Sequence, residues 1–236
     1  MTVLFVSGTG TGVGKTVVTA AIAALAADRG SSVAVVKPAQ TGVGDDEPGD
    51  LDEVQRLGGV NDLHELVRYP DPLSPAAAAR LSQRAPLDPA RFYDVVLGLG
   101  HDLVLVEGAG GLLVRFDEDG STLADLARAL HAPVLVVAQA GLGTLNHTAL
   151  TLEALAHRGL ELSGIVLGSW PAEPGLAERC NLRDLEMLAA RPLLGVLPSG
   201  AGQLGAQDFL ALARAGLAPQ LGGSFDARAF ADRWRP

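Results

Sequence analysis

This 236-residue chain predicts an α/β domain of three layers, with a mostly parallel sheet covered by helices on both faces. Three observations carry that prediction. Short apolar runs alternate with longer amphipathic stretches along the whole chain. Most of the short runs, such as 3–6, 103–106 and 134–137, are apolar throughout rather than at every second residue. Strands of that kind are buried on both faces. Scattered glycine and proline turns separate the elements, with no linker, repeat or low-complexity tract, so residues 1–236 read as one domain.

The first strand, 3–6, breaks into GTGTGVGKT at 8–16. Behind it, Val18, Ala21, Ile22 and Leu25 share one face of a helix over about 15–29, closed by Gly30. Strand, glycine-rich loop, Lys-Thr and helix form the arrangement of a phosphate-binding P-loop. The glycines let backbone N–H groups converge on phosphate oxygens, and the helix points its positive end at them. Lys15 is placed to reach the β- and γ-phosphates, and the Thr16 hydroxyl to ligate magnesium. The spacing departs once: Thr9 stands where the motif's first glycine belongs, between Gly8 and Gly10.

A strand at 33–37 follows and meets Pro38. Proline holds the residue before it extended. Lys37 is therefore expected at the strand's carboxyl end, the edge where open parallel sheets bind ligands. On these grounds alone it is an ordinary charged side chain that contributes little to the core. An acidic loop at 44–52 leads into a helix near 51–57, where Asp50 and Asp52 are either helix caps or members of a metal site. Residues 69–79 read as an irregular proline-rich segment running into a helix, and 88–99 as another helix. The strand 103–106 ends at Glu107, followed by three glycines in four residues. A carboxylate ending a core strand is costly unless it is paired or metal-bound; beside a P-loop the natural partner is the magnesium on the phosphates, the alternative a salt bridge at the sheet edge.

Thr122 and Asp125 make a capping-box pattern for a helix carrying Leu123, Leu126, Ala127 and Leu130. The strand 134–137 and GLGTLNH at 141–147 lead into a helix that stops at Arg158-Gly159. A strand at 164–167, the turn Gly168-Ser169-Trp170-Pro171, a helix over 174–190 and a strand at 193–197 come next. Helices near 206–215 and 226–234 finish the chain.

A net charge of −9 without any basic run argues against a nucleic-acid surface. The single cysteine, Cys180, suits a reducing cytosol. No secretory pattern opens the sequence, and no apolar run approaches the ~20 residues that cross a bilayer. A cytoplasmic protein without a membrane partner is expected. The five histidines lack metal spacing, and no Gly-x-Ser-x-Gly elbow occurs.

Five stretches, in order, are GTGTGVGKT at 8–16, KPAQTG at 37–42, VEGAGGLLV at 106–114, GTLNH at 143–147 and LLGVLP at 193–198. Together they resemble the dethiobiotin synthetases of biotin biosynthesis over most of the length. The resemblance implies a cyclo-ligase that converts 7,8-diaminononanoate, CO2 and a nucleoside triphosphate to dethiobiotin, the diphosphate nucleotide and phosphate. An amine captures CO2 as a carbamate, the γ-phosphoryl transfers to it, and the second amine closes the ureido ring. Such chemistry needs positive charge at the reacting centre and no covalent enzyme nucleophile.

Carried over residue by residue, the resemblance implies that Lys15 and Lys37 are catalytic, stabilising carbamate and phosphates. Thr16, Asp50 (rather than Asp52) and Glu107 hold Mg2+. Gly12, Val13, Gly14, Lys15, Thr16 and Val17 wrap the nucleotide with Glu107, Gly108, Ala109 and Gly110, while Leu197, Pro198 and Ser199 line its base. Thr11 and Thr41 contact the diamine or its carbamate. Thr144, Leu145 and Asn146 bind the substrate carboxylate across a two-fold homodimer interface. The family's adenine-reading asparagine is missing: Gly168 stands there, followed by Ser169. Base preference is accordingly expected to be relaxed. The alternative is a P-loop regulatory or partitioning ATPase. Related loops of that class carry a lysine where this chain has Gly10, which speaks against it.

Overall fold

The computed structural model describes residues 1–235. The apolar runs become strands β1 (Thr2–Gly8), β2 (Val33–Thr41), β3 (Asp62–Tyr69), β4 (Leu103–Gly111), β5 (Val134–Ala138), β6 (Leu162–Trp170) and β7 (Gly195–Pro198). Between and after them lie helices α1 (Lys15–Asp28), α2 (Asp50–Gly58), α3 (Pro75–Ser82), α4 (Pro89–Gly98), α5 (Leu123–Ala129), α6 (Thr144–His157), α7 (Leu176–Ala189), α8 (Ala206–Gly216) and α9 (Ala227–Arg233). The strands form one parallel sheet in the order β3-β2-β4-β1-β5-β6-β7. Every residue of β5 is buried, as a central parallel strand between two helical layers requires. The chain's winding reverses around β1, and the crevice beyond the carboxyl ends of β1, β2 and β4 is the position where such sheets bind ligands.

Besides strands that run further than expected, β4 past Glu107 to Gly111 and β6 through the expected turn to Trp170, two features differ from the sequence expectation. β3 was not legible. Its sequence DLHELVRY mixes charges with apolar residues, and only Leu66 and Tyr69 are buried. It forms the sheet's edge, pairing with β2 alone, and an edge strand tolerates charges that a central strand does not. Secondly, β2 runs through Pro38 to Thr41. β4 pairs with β2 only over Val33–Val36; beyond that, β2 continues along β3, with Lys37 opposite Glu65 and Ala39 opposite Val67. Proline's missing N–H is harmless where one neighbour has already turned away. Lys37 therefore lies within the strand and is only 2% exposed.

The caps follow local chemistry. Asp88 accepts from the Ala90 N–H to start α4, and Thr122 and Asp125 form the expected reciprocal box at α5. Asp52 accepts from the Gly49 N–H at 2.6 Å, which assigns Asp52 to capping α2 and leaves Asp50 for the crevice. At the far end, α9 is held by aromatic packing: Phe230 and Trp234 lie 5.2 and 5.9 Å from Trp170, centroid to centroid. No helix among the described residues is long and apolar enough to cross a membrane.

Candidate active site

Gly12 and Gly14 adopt φ of +73° and +94°, a left-handed backbone that glycine enters without steric cost. These two residues turn the chain out of β1 and into α1. The loop is also pressed from outside by the end of β6. A Cβ added to Gly168 would fall 2.0 Å from the Val13 carbonyl oxygen, and one on Gly14 2.6 Å from that of Gly168. The absence of a side chain at 168 thus has a structural reason: the phosphate loop occupies that space.

Beneath the loop opens a cleft of about 780 Å³. Thr11, Gly12, Gly14, Lys15, Thr16 and Val17 line one wall; Lys37, Thr41, Asp50, Gly108, Ala109 and Gly110 line the others. Lys37 joins these walls. Its ammonium donates to Glu107 Oε1 at 2.7 Å, to the Gly108 carbonyl at 3.2 Å and to the Asp50 carboxylate. The Thr16 hydroxyl donates to the same Glu107 Oε1 at 2.9 Å. Glu107 is fully buried, and its Oε2 has no partner among the described residues. Lys15, 8% exposed, rests its ammonium on the Gly10 carbonyl at 3.0 Å.

The electrostatics follow from this geometry. Burial alone pushes Lys37 down, but the Glu107 and Asp50 carboxylates outweigh it and hold the lysine above its ordinary value. Burial pushes Asp50 up, and the facing Lys37 more than reverses that, leaving the carboxyl below its ordinary value. Lys15 is pushed down, by burial first and by Lys37 second. Lys37 is thus an ammonium cation and Asp50 a carboxylate. The expectation that Lys37 contributes little to the core is corrected: removing it strands a buried carboxylate.

Two carboxylates and a hydroxyl form an all-oxygen donor set, the kind Mg2+ takes together with water and substrate phosphates. The unpartnered Glu107 Oε2 fits such a guest. Among the described residues no group of three or more His, Cys, Asp or Glu side chains could hold a metal without further donors.

Val13 is buried behind the loop rather than in the cleft. Ser169 and Ser199 lie beyond the Gly14–Gly168 contact, with hydroxyl oxygens 2.7 Å apart and Trp170 paired with Pro198. Leu197 is fully buried. Thr144, Leu145 and Asn146 form the first turn of α6 and do not line the cleft of the single chain; Thr144 is buried and Asn146 exposed. Sequence reasoning missed Gln40, Val114 and the segment 72–75, all of which line the cleft. Gln40 lies within the KPAQTG stretch, so proximity to Lys37 was the available signal. Nothing local marked 72–75, which reaches the cleft only because β3 folds it back.

A family model described as an AAA domain (AAA_26) matches residues 2–203. An ATP-dependent dethiobiotin synthetase BioD from Frankia casuarinae is 67% identical over 236 residues, 99% of each chain. Its namesake from Streptomyces coelicolor is 57% identical over 238 residues, all of each chain. The chain belongs to the dethiobiotin synthetase family. Dethiobiotin synthetases are ATP-dependent ligases of biotin biosynthesis, and the cleft belongs to an enzyme of that kind. Among solved structures, the septum site-determining protein MinD of Pyrococcus horikoshii is similar with a TM-score of 0.55 at 20% identity, covering 90% of this chain and 94% of its own. A ParA family ATPase from Chlorobium tepidum gives 0.54 at 16%, covering 99% and 98%. At such identities the likeness is one of fold, so it lends no weight to a partitioning role for this dethiobiotin synthetase.

Proposed function

We propose that this cleft carboxylates 7,8-diaminononanoate, phosphorylates the resulting carbamate and closes the ureido ring of dethiobiotin. The observation that carries the reading is the convergence of Lys15, Lys37, Thr16 and Asp50 on one cleft beneath a P-loop, with the buried Glu107 bonded to Lys37 and Thr16 behind it. The loop's N–H groups and the start of α1 hold the triphosphate. Lys15, resting on a carbonyl of its own loop, exchanges that contact for phosphate oxygens. Thr11 and Thr41 offer hydroxyls to the diamine or its carbamate from facing walls.

One amine nitrogen bonds to the carbon of CO2 and loses a proton. A carbamate oxygen then attacks the γ-phosphorus, and the nucleoside diphosphate leaves. The second amine attacks the carbamate carbon, releases phosphate and loses its proton, closing the ring. Lys37 and Lys15 stabilise the negative charge that gathers on carbamate and phosphoryl oxygens. Thr16, Asp50 and Glu107 would hold a magnesium ion, which supplies further charge neutralisation on the phosphates when bound.

Thr144, Leu145 and Asn146 are assigned to the substrate carboxylate of a second copy's site. The exposed Asn146 supports this, as do the exposed apolar Leu142 and Leu150 flanking it, which suit a homodimer interface. A cytoplasmic location agrees with the free Cys180. The deciding experiment is phosphate release from ATP with and without diamine and bicarbonate. Release is expected to require both; release indifferent to the diamine overturns the reading.

A further inference from the structure

We propose that Gln40 is a positioning residue that sets Asp50 for cation binding by accepting the first backbone N–H of α2. Gln40 is only 4% exposed although it lines the cleft, and both ends of its amide are engaged. Its Oε1 accepts from the Asp50 N–H at 3.0 Å; its Nε2 donates to the Thr41 carbonyl at 3.2 Å.

The opening N–H groups of a helix have no partner within the helix. A Ser, Thr, Asp or Asn at the N-cap ordinarily accepts from the second or third helical N–H and leaves the first to other groups. α2 has Gly49 there, with no side chain to offer. The surroundings explain the glycine: a Cβ at 49 would approach Arg68 Nη2 to 3.0 Å and Gln40 Oε1 to 3.1 Å. Arg68 is itself committed to the preceding loop through the Gly44 and Glu47 carbonyls. The first helical N–H, that of Asp50, which an N-cap side chain does not serve, takes its acceptor from β2, ten residues earlier.

The Asp50 main chain is thereby tied to the same strand that carries Lys37, three residues before Gln40. A side-chain carboxylate is aimed by its backbone. Loss of the tie leaves Asp50 present and charged but no longer fixed against Lys37, Thr16 and Glu107. The inference rests on the reading of Asp50 as a cation ligand and adds the group that orients it.

The test uses the full chain, Mn2+ as a paramagnetic probe, and a non-hydrolysable ATP analogue, with Mn2+ affinity read by electron paramagnetic resonance. Gln40→Met should weaken Mn2+ binding about tenfold, the low end for a group that orients a metal ligand. Analogue affinity without metal should stay within about twofold, because the P-loop is untouched. Gln40→Glu keeps an acceptor for the Asp50 N–H and should hold Mn2+ more tightly than Gln40→Met. If Gln40→Met does not fold, Gln40→Asn, one methylene too short to reach, takes its place with the same expectation. Asp50→Asn separates the two ideas. Weak Mn2+ binding in Asp50→Asn with wild-type binding in Gln40→Met overturns the inference alone. Wild-type Mn2+ binding in Asp50→Asn overturns both. An equal loss of metal-free analogue affinity in Gln40→Met reduces Gln40 to a structural residue and also overturns the proposal.

Discussion

Lys37→Met removes the ammonium while keeping a side chain of similar length. Glu107, wholly buried, then keeps only the Thr16 hydroxyl on Oε1 and nothing on Oε2. Taking one partner from a buried ion pair costs about 3–5 kcal/mol, because the remaining charge cannot return to water. The Asp50 side chain is 36% exposed, so its half of the arrangement is screened and adds little. For a chain of this size that cost lowers Tm by roughly 6–20 °C. Turnover should fall by on the order of 10² to 10³, the scale of one preorganised electrostatic group. Differential scanning calorimetry and steady-state phosphate release measure the two effects. The double variant Lys37→Met/Glu107→Gln should recover most of the stability and none of the activity. A single variant melting within about 2 °C of the parent, under 1 kcal/mol at this size, refutes the claim that Glu107 depends on this cation.

The remaining predictions concern other parts of the chain. Gly168→Ala should weaken nucleotide binding about tenfold or more, on the scale of 1–3 kcal/mol of steric strain, since its Cβ meets the Val13 carbonyl at 2.0 Å; unchanged binding in a nucleotide titration would show that the loop yields freely. With no side chain at 168, kcat/KM for CTP, GTP and UTP should lie within about a hundredfold of ATP, the range of one lost base hydrogen bond; a larger preference for ATP means that other groups read adenine. Backbone and hydroxyl hydrogen bonds from Ser32 hold the Asp102 carboxyl below its ordinary range. A depressed carboxylate stabilises the fold above its unfolded value and loses that contribution as pH falls through the folded one, so Asp102→Asn should flatten the acid limb of Tm below about pH 4. An unaltered limb contradicts the assignment. Inactive Lys15→Ala and Asn146→Ala proteins should regain activity when mixed under conditions of proven subunit exchange; none regained means that the site is not shared.

The glycine-rich loop and the central strands were legible because each has a local cause, a glycine pattern or an apolar run; Glu107, expected at the end of its strand, lies within β4. Lys37 read from its own stretch as an ordinary strand-end charge, not as a buried one. Its two carboxylate partners lie 13 and 70 residues away, and no pattern within β2 announces them. β3 was hidden by its position at the sheet edge. The choice between Asp50 and Asp52 needed the Gly49 N–H, which shows Asp52 already engaged. Gly168 was read as a lost base contact; the structure adds that asparagine cannot be restored there without displacing Val13 and Gly14.

That contact between Gly168 and the loop bears on how far the nine residues at 8–16 can be treated as a module. Their outer mould is supplied by a strand laid down more than a hundred residues later, after four other strands have been placed. A nascent or truncated chain ending at β5 would possess every residue of the loop and lack the wall that shapes it. The shape of the loop is thus a property of the finished sheet, and the first half of the chain does not contain all that sets it.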